Sequence, residues 1–235
     1  VKAMILAAGK GTRMRPLTLT TPKPLLRAGG KPLIAYHLEA FKHAGFRDIV
    51  INHAWLGEQI EQALGSGEQF GLSLHYSRER EPLETAGGIV RALPLLTSSG
   101  NDWFVVVNGD VWTDFDLARL QPPAPGTTPP VDAVLVMTDN PRHHQEGDFC
   151  LNSNGLLSQE CTSEAGEKLT FTGISLLHQR LFDGLTDAAG KLGPVLRTAM
   201  DNRRVSGLYH SGGWADIGTP ERLRALDRQL ASQES

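Results

Sequence analysis

Cysteine is nearly absent from this sequence: Cys150 and Cys161 are the only two in 235 residues. Two are too few for a disulfide framework, and the scarcity points to a reducing compartment, most simply the cytoplasm. An excess of positive charge is also missing. The chain carries 23 Lys and Arg against 26 Asp and Glu, a net charge of −3. That balance speaks against partnership with nucleic acid or a membrane surface, either of which calls for a basic excess or patch. No apolar run is long enough to span a bilayer. No signal-peptide pattern opens the chain, which begins at Val1 rather than at a methionine. Internal repeats and low-complexity tracts are lacking as well.

The most informative stretch that is present is ILAAGKGTRMRPLTLTTPKPLL, residues 5–26. An apolar run from Met4 to Ala8 closes in Gly9-Lys10-Gly11, as a buried strand does when it leaves a sheet into a tight loop. Glycines let backbone N–H groups approach a phosphate, and cations balance its charge. Lys10, Arg13, Arg15 and Lys23 supply four such cations, which suits a ligand with several phosphates better than a dinucleotide. The dinucleotide pattern G-x-G-x-x-G fails at its third position, where Met14 stands. The Walker pattern fails too, because no Gly-Lys-Ser/Thr follows at the right spacing. The competing reading is an ordinary strand-to-helix turn with solvated Lys and Arg.

Strand-like and helix-like runs alternate beyond this loop. Asp48–Asn52, Leu72–Tyr76, Trp103–Val107 and the run 131–138 read as further strands. Residues 33–41, 56–64 and 88–96 read as helices, the first two stopped by Gly45 and Gly65. Such alternation favours a mostly parallel sheet with helices on both faces. The segment 121–130, QPPAPGTTPP, excludes helix or inner strand and reads as a surface connection. After it the pattern turns hairpin-like at 149–152, 156–159 and 169–177, and helices follow at 191–202 and 220–232. Thr219 is a good N-cap for the last of these, with Pro220 in its first turn and Glu221 placed to complement the dipole.

Two aspartates end apolar strands. Asp110 follows Asn108-Gly109, and Asp216 stands in GWADIGT before the capped helix. A carboxylate just past the C-terminal end of a parallel strand lies where open α/β sheets bind ligands, and two of them suit Mg²⁺ shared with substrate phosphates. Each alone reads equally well as a turn-former or cap. The loop 79–88 closes in Thr85-Ala86-Gly87-Gly88, whose small residues would let a flat base lie against the backbone. Taken alone, it is a helix-entry loop.

The blocks LAAGKGTRMRPLT, PKPL, ETAGGI, VVNGD, FTGISLL and WADIGTPE span nearly the whole chain in order. Through them the sequence resembles the sugar-1-phosphate nucleotidylyltransferase family. That resemblance implies an α/β fold: a doubly wound, mostly parallel, Rossmann-like nucleotidyltransferase sheet with an inserted β-rich sugar-binding portion. It implies one domain over 1–235, with a nucleotide-binding core at about 1–120 and a sugar-binding portion with a C-terminal helix at about 131–235. It implies that a sugar-1-phosphate oxygen attacks the α-phosphorus of a nucleoside triphosphate and releases pyrophosphate. Ala7, Ala8, Gly9, Gly11 and Thr12 would cradle the nucleotide, with Asn108 beside them. Arg13 would neutralise the pyrophosphate, and Lys23 would sit on the α-phosphate. Asp110 and Asp216 would hold Mg²⁺. Thr85, Gly87 and Gly88 would meet the base, and Gly173 the sugar. Transfer of this kind needs alignment and charge neutralisation rather than a protein nucleophile.

The sequence departs from the family where a Glu-Lys-Pro motif carries the lysine for the sugar phosphate. Here Glu167-Lys168 is followed by Leu169, so Lys191 is the preferred substitute and Lys168 is read as solvated. The chain stops soon after Pro220-Glu221, so the C-terminal left-handed β-helix of bifunctional members, with its acetyltransferase activity, is not expected. INHAWLGEQIE, EPLETAGGI, RHHQEGDF and LTFTGISLLH resemble one branch in particular. Its members transfer UMP from UTP to N-acetylmuramate-1-phosphate in bacterial cell-wall recycling. The lactyl carboxylate of that sugar would need a cation or donor, for which Arg142, His143 and His144 are candidates, while Asp148 would accept from sugar hydroxyls. Transfer to glucose-1-phosphate from dTTP or UTP, or to mannose-1-phosphate from GTP, is the rival within the class. A non-catalytic nucleotide-sugar-binding regulator is the rival outside it, disfavoured because Arg13, Lys23 and both aspartates are kept. A Rossmann oxidoreductase is disfavoured by Met14. Nothing in the sequence sets the oligomeric state.

Overall fold

A computed structural model describes residues 1–98, 100–124, 126, 130–161 and 168–233. The first apolar run becomes β1 (Lys2–Leu6), with Ala3, Met4 and Ile5 fully buried. After the glycine loop come β2 (Arg27–Ala28), β3 (Lys31–Pro32), α1 (Leu33–His43), β4 (Asp48–His53), α2 (Gly57–Leu64), β5 (Ser73–Arg78), α3 (Glu84–Leu96), β6 (Trp103–Asn108) and β7 (Val111–Thr113). Past the proline-bearing segment lie β8 (Ala133–Thr138), β9 (Phe149–Leu151), β10 (Leu157–Ser158), β11 (Lys168–His178), α4 (Leu192–Asp201), β12 (Val205–Tyr209), β13 (Trp214–Asp216) and α5 (Pro220–Gln233).

The main sheet runs β12-β8-β11-β6-β1-β4-β5, and β9 and β10 extend it beside the start of β11. β1 lies between β6 and β4, parallel to both, with Ala3 opposite Val105 and Ile49. β4 pairs with β5 in parallel, and β12 with β8. β11 runs antiparallel to both β6 and β8. Its register against β8 shifts between Phe171 and Ser175, where Gly173 takes φ +80°. The expected α/β class with a mostly parallel sheet is what the structure has. The strands after residue 130 continue the central sheet, and the hairpin-like additions are small.

Strand alternation divides the core in two. Ala3, Ile5, Ile49, Ile51, Val105 and Val107 face α1 and α2 through Ile34, Leu38, Phe41 and Ile60. Met4, Val50, Phe104 and Val106 face α3 and α4 through Ile89, Ala92, Leu96 and Leu196. With both faces covered, the strands read as unbroken apolar runs. A third cluster lies apart from these. Leu223, Leu226 and Leu230 of α5 pack with Met14, Leu26, Ala28, Leu33, Trp112 and Ile217. Met14, the residue that breaks the dinucleotide pattern, is fully buried there. A side chain at this position anchors the phosphate-type loop to the C-terminal helix, which a glycine cannot do.

Several elements differ from the expectation. α3 begins at Glu84, four residues before the expected start, so the small-residue run is its first turn. The cause is a partner distant in sequence: the Gly190 carbonyl accepts from the Ala86 and Gly87 N–H groups at 2.8 and 3.2 Å. β7, β12 and β13 are short and depend on pairing partners far along the chain, so local pattern does not announce them. Cys150 and Cys161 are bonded to each other, with Cα atoms 5.4 Å apart. The scarcity of cysteine therefore reduces to one pair and weighs less for a reducing compartment than expected. Residues 121–124, 126 and 130 lie outside helix and strand, as the prolines require, and Glu167 lies outside the described residues. Among the described residues no helix is long and apolar enough to cross a membrane.

Restoring the glycine of a dinucleotide loop, Met14→Gly, is expected to lower stability by about 3 kcal/mol, as loss of a buried methionine does. Urea-denaturation midpoints of the two proteins measure it.

Candidate active site

Two cavities open at the C-terminal ends of β1 and β6 and share a wall. The larger, of about 630 Å³, is lined by Ala7, Ala8, Gly9, Lys10, Thr12, Lys23, Asn52, Glu81, Glu84, Thr85, Asn108 and Asp110, with others. The smaller, of about 390 Å³, is lined by Arg13, Asn108, Asp110, His143, His144, Asp148, Gly173, Trp214, Asp216 and Arg222, with others. Asn108 and Asp110 belong to both. A topological edge where parallel strands end is where such sheets take ligands.

The glycines of the loop have separate tasks. Gly11 adopts φ +60°, and a Cβ there would stand 2.8 Å from the Thr18 methyl group, so this glycine shapes the loop without lining either cavity. At Gly9 a Cβ would meet no protein atom within 4 Å. Neither packing nor a positive φ demands glycine at this position, and the space it leaves belongs to the larger cavity. The loop is held by Asn52, whose Oδ1 accepts from the Ala7 N–H at 2.9 Å. Asn52 Nδ2 donates to Glu79 Oε1 at 2.7 Å, and Glu79 Oε2 accepts from the Leu83 N–H at 2.9 Å. This buried bridge joins the phosphate-type loop to the start of α3.

Backbone pairing sets the main chain at Asp216 beside that at Asp110. β13 runs antiparallel to β7 with Asp216 opposite Val111, and the Ile217 N–H donates to the Asp110 carbonyl at 2.8 Å. Trp214 Nε1 donates to the Thr172 carbonyl at 2.9 Å, tying this ladder to the shifted part of β11. Lys23 Nζ, largely buried, donates to Asp110 Oδ2 at 2.8 Å. Arg222 Nη1 donates to Asp216 Oδ2 at 2.7 Å, and His143 Nε2 lies 3.6 Å from the same oxygen. Among the described residues, no group of three or more His, Cys, Asp or Glu side chains forms a metal cage. Asp110 and Asp216 both line the smaller cavity, and two carboxylates there suit a hard divalent cation completed by phosphate oxygens.

Other expected residues fall differently. Arg13 lines the smaller cavity rather than the larger, and no described carboxylate lies within ion-pairing distance of it. Gly87 and Gly88 line neither cavity. A Cβ on Gly87 would stand 2.3 Å from the Asp187 carbonyl oxygen, and one on Gly88 2.7 Å from Asn52 Nδ2. Both are glycines because the chain packs closely around them, while Thr85 keeps its place in the wall. Lys191 is exposed at the start of α4 and is absent from both walls, because Gly190 beside it is bound to the start of α3. Arg142 also stands outside the walls, whereas His143 and His144 line the smaller cavity. Asp148 lines it too, but its oxygens are occupied. Oδ2 accepts from the Phe171 N–H at 2.8 Å, and Oδ1 lies 3.0 Å from His144 Nε2. Asn52, Glu84 and Arg222 were not foreseen. Asn52 left one signal, a polar residue closing an apolar strand. Glu84 holds φ +62° at the mouth of the larger cavity, a conformation that costs an L-residue about 1–2 kcal/mol.

His37 lies behind Asp110. Burial pushes its pKa down to about 4, against the pull of a hydrogen bond to Val111 and the charge of Asp110. Its Nε2 has no partner among the described residues. The unfolded chain takes up a proton near the ordinary value of 6.5 that the fold refuses until about 4. Stability from this residue is therefore complete above pH 6.5 and declines as pH falls through that window. In His37→Gln the acid-side decline between these values is expected to be shallower, read from urea midpoints at stepped pH. Gly9→Ala is expected to leave stability unchanged or raise it by up to about 1 kcal/mol. Its KM for the ligand of the larger cavity should rise about tenfold, because the methyl group occupies that space.

Residues 2–147 match the family model described as nucleotidyl transferase. The N-acetylmuramate alpha-1-phosphate uridylyltransferase of Neisseria meningitidis is 50% identical over 226 residues, covering 95% of this chain and 96% of that protein. The protein of the same name from Caulobacter vibrioides is 33% identical, covering 97% and 96%. The mannose-1-phosphate guanylyltransferase catalytic subunit beta of Drosophila melanogaster is 42% identical over 224 residues, where this chain spans 60% of its length. A solved Bacillus anthracis structure, provisionally named a glucose-1-phosphate thymidylyltransferase, superposes with a TM-score of 0.81 at 22% identity, covering 98% and 95%. At that identity the likeness concerns the fold.

Proposed function

The chain belongs to the nucleotidyl transferase family, among the sugar-1-phosphate nucleotidylyltransferases, and we propose that it transfers UMP from UTP to N-acetylmuramate α-1-phosphate. The products are the UDP-sugar and pyrophosphate. We place the reaction in the cytoplasm, where nucleoside triphosphates are available, and assign it to peptidoglycan recycling. The observation that carries the reading is the wall shared by the two cavities, with Asp110 on it, Lys23 on one side and Asp216 on the other. The half-identical, full-length relative that acts as a uridylyltransferase supports the choice of base and sugar.

In this reading UTP lies in the larger cavity, its phosphates over Gly9 and its base toward Thr85. The acceptor sugar lies in the smaller cavity against Gly173. A phosphate oxygen of the acceptor forms a bond to the α-phosphorus as the bond from that phosphorus to the β-bridging oxygen breaks. The departing pair of electrons leaves with pyrophosphate. Lys23, shielded from water and already placed on Asp110, is suited to the charge that spreads over the α-phosphoryl oxygens. Asp110 and Asp216 would hold Mg²⁺, which would supply positive charge against that of the phosphates. The backbone at Ala7, held by Asn52, and at Ala8 beside it would align the nucleotide for transfer.

A panel crossing UTP, dTTP and GTP with N-acetylmuramate-, glucose- and mannose-1-phosphate, read by pyrophosphate release, tests the assignment. UTP with the muramic substrate is expected to give the highest kcat/KM. Preference for a mannose or glucose pair would overturn it. Asp110→Asn and Asp216→Asn are each expected to lower kcat by about 100-fold or more while the protein stays folded. Full activity of Asp216→Asn would remove the two-carboxylate site.

A further inference from the structure

Among the described residues no lysine lines the smaller cavity. The lysine expected for the sugar phosphate is missing from its wall, and the cations actually there are Arg13 and Arg222, with His143 and His144 beside them. Arg13 has no described carboxylate partner, whereas Arg222 is committed to Asp216 at 2.7 Å. The two guanidinium groups approach each other across Gly218. A Cβ on that glycine would stand 2.9 Å from Arg222 Nη1, 3.2 Å from Arg13 Nη1 and 3.0 Å from Asp216 Oδ1. Glycine here keeps open a gap into which two guanidiniums and one carboxylate all reach. The fold also fixes Arg222 at this spot. Its N–H donates to the Thr219 hydroxyl at 3.4 Å in the first turn of α5, and Leu223 and Leu226 dock that helix on Met14 and Ile217.

Resting on the reading above, we propose that Arg222 is a placeholder cation. It neutralises Asp216 until a divalent cation takes that carboxylate, and the released guanidinium then joins Arg13 in binding the phosphate of the acceptor sugar.

The charges support such an exchange. Asp110 pairs with Lys23 and Asp216 with Arg222, so each carboxylate in the smaller cavity's wall has a cationic side chain beside it. A divalent cation held by these carboxylates would leave Arg222 beside Arg13, which has no carboxylate partner among the described residues. Two planar donors on one anion are the arrangement that recognises phosphate most strongly. The acceptor phosphate is favoured over pyrophosphate because neither arginine reaches the wall of the larger cavity, where Gly9 and Lys10 stand.

The test begins with metal alone. Mn²⁺ binding, followed by electron paramagnetic resonance without nucleotide, is expected to be about fivefold tighter in Arg222→Gln than in the unaltered protein. That is the fold-change matching the upper end of a partly exposed ion pair. Asp216→Asn should lose this binding. Unchanged or weaker binding in Arg222→Gln overturns the placeholder role. Thermal melts with and without Mn²⁺ check folding, and the Mn²⁺-induced rise should be larger in Arg222→Gln. Steady-state kinetics with UTP and the sugar-1-phosphate preferred in the panel then separate the sources of phosphate. Arg222→Gln should raise KM for the sugar-1-phosphate by about tenfold or more, with KM for UTP little changed and Arg222→Lys restoring part of the loss. If product inhibition by pyrophosphate weakens while KM for the sugar-1-phosphate holds, the clamp serves the wrong phosphate and the proposal fails. Failure of the assigned base or sugar is read from the unaltered protein in the panel, independently of the metal titration.

Discussion

The antiparallel pairing of β7 with β13 is the contact on which the rest of the site depends. Its register puts Asp216 opposite Val111, and the hydrogen bond from the Ile217 N–H to the Asp110 carbonyl continues it by one step. Both aspartates then line the smaller cavity, and Asp110 lines the larger one as well. Backbone pairing of this kind fixes position better than side-chain contacts, because alternate residue pairs of the ladder exchange two directional bonds and the backbone between them has little freedom. Trp214 and Thr172 fasten the ladder to the central sheet, so the carboxylates share the rigidity of β11 and β6.

The third apolar cluster gives the ladder its second support. Met14, Trp112, Ile217 and the leucines of α5 join the amino-terminal loop to the last helix. Through that cluster Arg13, Asp216 and Arg222 become neighbours. The chemistry of the site is thus held by packing that touches no substrate. The ion pairs Lys23–Asp110 and Arg222–Asp216 solve a separate problem, since each sets a cation beside a carboxylate that would otherwise face the cavity uncompensated.

Much of this was legible in the chain. Continuous apolar runs ended by glycine marked β1, β4 and β6, because strands covered on both faces need no polar alternation. Asn108-Gly109-Asp110 marked a strand end with a carboxylate, and the glycines and cations of 9–23 marked a phosphate-type loop. Less legible were glycines with two possible reasons to exist. Gly87 and Gly88 resembled a base-contact loop, yet Asp187 and Asn52 press against them and explain their size. Lys191 was a plausible cation by sequence, and the bond from Gly190 to α3 takes it away from the sugar side.

By itself the sequence determined the layered α/β class, and it singled out a glycine- and cation-rich loop and two strand-end aspartates as candidates. These follow from local apolar period, glycine placement and charge, all of which act within a few residues of chain. Only the tertiary structure decided which cations face which carboxylate, why Met14 replaces a glycine, and that Arg222 guards Asp216. Those outcomes depend on contacts between residues 13, 110, 216 and 222, set by strand register and helix docking, and no local pattern encodes either.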